Sequence, residues 1–98
     1  MVKTDTVYNE RVFLGEGLNA VHGLVEIVEW EGKDDVTHTS IEGEFSLSKY
    51  GDSISYMVDA TTDEELNTQM ATLHTLRRIL DEVIDKVNDA YLKIGGLK

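Results

Sequence analysis

Ninety-eight residues, 41% of them hydrophobic, suffice for one domain with a modest core and exclude a disordered acidic tail. The chain has no cysteine, which excludes disulfide scaffolds, zinc–thiolate centres and thiol nucleophiles. Nineteen acids against nine Lys and Arg give a net charge of −10, a surface that repels phosphates and anionic lipid and attracts basic protein surfaces.

The N-terminal stretch MVKTDTVYNERVF lacks the apolar run of a signal peptide, and no segment approaches the length of a membrane span. A cytoplasmic protein without a membrane segment is therefore expected. Residues 1–61 hold twelve acids and four bases, a net of −8, whereas residues 62–98 hold seven and five, a net of −2. Nearly all of the imbalance lies in the first two-thirds of the chain. That portion reads as four strands, over Thr6–Leu14, Gly23–Glu31, Val36–Ser48 and Ser53–Ala60, separated by the turn-rich GEGLNA, GKDD and KYGD. Connections this short force antiparallel neighbours, and the simplest sheet is a meander.

Alternation sets the register. Ile41, Gly43, Phe45 and Leu47 share one face of strand three, as Ile54, Tyr56, Val58 and Ala60 do on strand four. A short loop pairs Leu47 with Ile54, Phe45 with Tyr56 and Gly43 with Val58, so that large apolar residues meet. The stretch VEIVEWEG, Val25 to Gly32, then pairs Ile27 with Ile41 and Glu26 with Glu42, and Glu42 faces Asp59 on its other side. Three carboxylates line up across three strands on the outer face, with Glu44 one step away and Trp30 and Met57 beside them. Like charges directly opposite one another destabilise a strand pair, so solubility alone does not call for this row. A competing reading places a bulge near Val28, which would turn Trp30 to the core face with Val25 and Ile27 and send Glu26, Glu29 and Glu31 outward.

TDEE at Thr62 is a capping box, in which Thr62 caps the third helical amide and Glu65 reaches back to it. From there apolar residues step by three or four, through Leu66, Met70, Leu73, Leu76, Leu80, Val83, Val87, Ala90 and Ile94, with Tyr91 widening the stripe. Gly95 and Gly96 stop the helix where a left-handed cap is needed. The expected fold is α+β, a single domain (1–98) made of a four-stranded antiparallel meander over 1–61 and one long helix over 62–95 packed on one sheet face. A helix of this length should overhang the sheet. Its stripe predicts a two-fold dimer through Leu73, Leu76, Leu80, Val83, Val87 and Tyr91.

Chemistry is sparse. His22, His38 and His74 are isolated, and no HExxH or nucleophile elbow occurs. GEGLNAVHG lacks the Lys-Ser/Thr of a P-loop and links two strands, so it reads as a loop. An open sheet face offers carboxylates neither the six ligands of a calcium site nor a pocket to separate their pKa values. No catalytic residue, metal or cofactor is expected. A non-enzymatic interaction protein is expected instead, with Glu26, Glu42, Glu44, Asp59, Trp30 and Met57 meeting a basic protein partner. In size, acidity and lack of cysteine the chain resembles phage-type viral inhibitors that imitate nucleic acid and bind a nucleic-acid-binding protein. The order of four strands and a dimerising helix is similar to that of some single-strand-binding, coactivator-like proteins. Direct nucleic-acid binding is not expected, because the sheet lacks a basic groove with interleaved aromatics. An assembly or chaperone-like subunit using the helix stripe on a partner helix is the other alternative.

Overall fold

In the computed structural model, which describes residues 2–15, 19–49 and 51–97, the alternating stretches form a four-stranded antiparallel sheet and the periodic stretch forms one helix. The strands are β1 (Val2–Leu14), β2 (Asn19–Glu31), β3 (Thr37–Lys49) and β4 (Asp52–Ala60), in the spatial order β1-β2-β3-β4. The helix, α1, runs over Asp63–Lys93. The expected ββββα order and the meander are both present. By compactness the chain divides into two units, Met1–Leu66 and Asn67–Lys98.

The central register follows the apolar pairs. Leu47 pairs with Ile54, Phe45 with Tyr56 and Gly43 with Val58, while Ile27 pairs with Ile41 and Val25 with Gly43. The strand starts differ from the expected ones. β1 begins at Val2 rather than Thr6 and β2 at Asn19 rather than Gly23. Val12, Phe13 and Leu14 hold Val21, Ala20 and Asn19 by direct pairing, and this draws the end of GEGLNA into the ladder. Glu16, Gly17 and Leu18 of that turn, and Tyr50 of KYGD, lie outside the described residues.

The structure has no bulge at Val28. β2 pairs with β3 without a break from Asn19 to Glu31. The irregularity lies in β1, between Thr6 and Tyr8, where Thr6 faces Glu26 and Tyr8 faces Val25. Val7 is the extra residue and is exposed. At the β2–β3 turn the Gly32 amide donates to the Val36 carbonyl (3.0 Å) and the Asp35 amide to the Gly32 carbonyl (3.1 Å). Asp35 takes the left-handed conformation there, at φ 58°.

The helix ends follow local chemistry. Glu65 N donates to Thr62 Oγ1 at 3.2 Å, as a capping threonine requires. The return arm differs from the expected box, since Glu65 Oε2 accepts from the Thr61 amide at 3.2 Å. At the other end Gly96 N donates to Tyr91 O (3.1 Å) and Gly95 N to Leu92 O (3.2 Å), the two bonds of a Schellman cap, with Gly95 at φ 78°.

Among the described residues the buried hydrophobic ones are Val58 and Ala60, 7% and 5% exposed, on the face of β4 that also carries Ile54 and Tyr56. Phe45 and Ile54 stand 41% and 69% exposed, and no residue of α1 is buried.

Candidate acidic sheet face

Side chains alternate along a strand, so the register fixes what shares a face. With Glu26 opposite Glu42 and Glu42 opposite Asp59, the three carboxylates stand side by side across β2, β3 and β4. Strands sit about 4.8 Å apart, so the row spans roughly 10 Å. Glu44 lies two residues along β3 from Glu42, opposite Leu24 and Met57. Trp30 lies four residues along β2 from Glu26, opposite Val2 and His38. All six residues expected at the partner surface therefore share one face. The six differ in exposure: Met57 and Asp59 are exposed, whereas Glu26, Trp30, Glu42 and Glu44 are half-buried.

Two shallow hollows flank the row. Val2, Val28, Trp30, Ser40, Glu42, Asp59 and Thr61 line one, and Leu24, Glu26, Glu42, Gly43, Glu44 and Met57 line the other. Glu42 belongs to both. Each hollow thus sets carboxylates beside an apolar wall, one carrying Trp30 and the other Met57. Among the described strand residues the register places a single Lys or Arg on this face, Arg11, which sits opposite His22. Glu29 and Glu31 point to the opposite face with Ile27, where Glu29 sits across from Lys3.

The neighbours hold some of these side chains. Thr6 Oγ1 donates to Glu26 Oε2 at 3.4 Å. The His38 ring stacks on Trp30 with centroids 5.6 Å apart and planes at 26°. His38 Nε2 in turn lies 3.4 Å from Asp34 Oδ1. Asp34 is tied into the turn, for the Val36 amide donates to its Oδ1 at 3.2 Å. This backbone bond, aided by His38, holds the Asp34 carboxyl below its ordinary value. Gly32 leaves room for the arrangement, since a methyl group there would stand 2.6 Å from His38 Nε2 and 2.8 Å from Asp34 Oδ1.

Sequence reasoning missed His38, Thr6 and Val2 as members of this face. For His38 a signal was present, because the turn that pairs Ile27 with Ile41 also pairs Trp30 with His38. Val2 and Thr6 depend on the bulge at Val7, which no local feature announces. On the other expected surface, Leu73 is half-buried and Leu76, Leu80, Val83, Val87 and Tyr91 are exposed along α1. Among the described residues no group of three His, Asp or Glu gathers closely enough to hold a metal ion. No helix of the described residues is long and apolar enough to cross a membrane.

No protein-family model matches the chain, and neither a curated protein nor a solved structure proved similar to it.

Proposed function

We propose that this chain is a non-enzymatic interaction protein of the cytoplasm whose acidic sheet face docks on the basic surface of a nucleic-acid-binding partner, in the manner of an inhibitor that imitates nucleic acid. The observation that carries the reading is the cross-strand row Glu26–Glu42–Asp59. Opposed like charges cost a strand pair about 0.2–1 kcal/mol, and alternation would have admitted Thr or Ser at any of the three positions. A row kept at that cost suits a surface whose energy is recovered against cations. The hollows on either side supply what charge alone lacks, apolar walls at Trp30 and Met57 on which a partner side chain can bury its stem.

Trp30 is the sole tryptophan of the chain, so its emission reports on this face. The test is affinity capture from the native host at low and high salt, with the wild type and the Glu26→Lys/Glu42→Lys/Glu44→Lys variant. A captured basic protein should be released by salt, fail to bind the variant, and shift Trp30 emission when purified and titrated. Capture that persists at high salt and survives the three reversals overturns the proposal. Tight binding of a labelled single-stranded oligonucleotide, read by anisotropy, would favour the nucleic-acid-binding alternative instead.

A further inference from the structure

The stripe on α1 repeats more strictly than a helix lying on a sheet requires. Leu66, Leu73, Leu80, Val87 and Ile94 recur at intervals of seven. Gln69, Leu76, Val83 and Ala90 each fall three residues after a member of that series. A straight helix drifts about 20° per seven residues, so a strict heptad seam stays in line only when two helices wind around each other. In the C-terminal half of the seam Leu80 and Val87 stand 53% and 62% exposed. The seam therefore needs a second helix with a matching repeat. α1 is the only helix among the described residues, and a second copy supplies the same repeat.

We infer that α1 pairs with α1 of a second copy as a two-stranded antiparallel coiled coil in full overlap. Charge sets the direction. The first turn carries Asp63, Glu64 and Glu65, and the last turn carries Lys93. A parallel pair would gather both acidic first turns, each preceded by sixty-one residues of net charge −8, at one end. An antiparallel pair puts Glu65 beside the partner's Lys93. It also separates the two acidic first turns by the helix length, 31 residues or roughly 46 Å, several screening lengths in ordinary buffer. Full overlap aligns the two series into layers, Leu66 on the partner's Ala90, Leu73 on the partner's Val83 and Leu76 on the partner's Leu80. Long side chains meet short ones toward the ends, and two leucine layers fill the middle. At the rim Met70 flanks the partner's Ile84. Arg77 meets the partner's Arg77 there, and both charged ends reach water.

The absence of cysteine makes the test clean. The full chain at about 100 µM should sediment at twice 11.0 kDa. Leu76→Lys/Leu80→Lys should sediment as one chain, while Arg78→Ala, on the far side of the helix, keeps the doubled mass. Under oxidation Leu73→Cys alone should stay uncrosslinked, because its partner cysteine lies about ten residues, roughly 15 Å, away. Leu73→Cys/Val83→Cys should form a covalent dimer. A wild-type mass of one chain overturns the pairing, and crosslinking of Leu73→Cys alone overturns its direction. Failure of the double variant to crosslink overturns the register. The cysteine variants decide the question even if the lysine variant fails to fold.

Discussion

At the scale of single residues the β2–β3 turn shows how a contact beside the acidic face is held. His38 stacks on Trp30 while facing Asp34, and Asp34 is bound to the Val36 amide. The Asp34 carboxyl is held below its ordinary value of 3.8 by the Val36 amide first and by His38 after it. A carboxyl that titrates lower when folded than when unfolded adds stability above the unfolded value and loses it as pH falls through the folded one. Asp34→Asn should therefore unfold at lower urea than the wild type at pH 7, and the gap should close as pH falls below the ordinary carboxyl value and through the lowered folded one. Urea titrations at a series of pH values measure this, and a gap that persists in acid contradicts the assignment. The stacking itself was legible only through register. Nothing in the residues around His38 singles it out, and only its ladder partner does so.

At the scale of elements, the parts legible in the sequence are those where side-chain period and partner agree. Leu47, Phe45 and Gly43 could meet Ile54, Tyr56 and Val58 in one register alone, so Glu26, Glu42 and Asp59 fell into line. The starts of β1 and β2 stayed hidden because pairing across the hairpin creates them. Glycine-rich GEGLNA reads as turn until Phe13 and Leu14 claim Ala20 and Asn19. The bulge was hidden for a similar reason: Thr6, Val7 and Tyr8 are all strand formers, and only the spacing of the partner strand makes Val7 extra. Two predictions belong here. Glu42→Lys turns two repulsive cross-strand contacts into attractive ones and should raise stability by about 1 kcal/mol in urea melts, while weakening capture of a basic partner. A substitution that stabilises the fold and impairs binding marks a surface kept for binding, whereas a fall in stability would remove that argument. Thr62→Ala deletes the acceptor of the Glu65 amide and should cost about 1 kcal/mol of stability, with some helicity lost by circular dichroism.

At the scale of the whole molecule, two surfaces of opposite character imply opposite responses to salt. In the proposed docking the acidic face would attract through charges at least partly open to water, and such attraction weakens as the screening length shrinks from about 10 Å at 0.1 M to about 3 Å at 1 M. In the proposed pairing the α1 seam would attract through Leu73, Leu80, Val83 and their neighbours, whose burial does not depend on charge. Two copies bring together a formal charge of twice −10, and this repulsion opposes pairing most strongly in dilute buffer. Adding salt should then loosen the basic partner while leaving the doubled mass unchanged or more persistent on dilution. Raising sodium chloride from 0.05 M to 0.5 M should lower partner affinity at least about tenfold, as expected where several opposed charges are screened. Over the same range the concentration at which sedimentation shows half the chains paired should hold or fall. If both associations weakened together with salt, the pairing would rest on charge, and the heptad seam would not be what joins the copies.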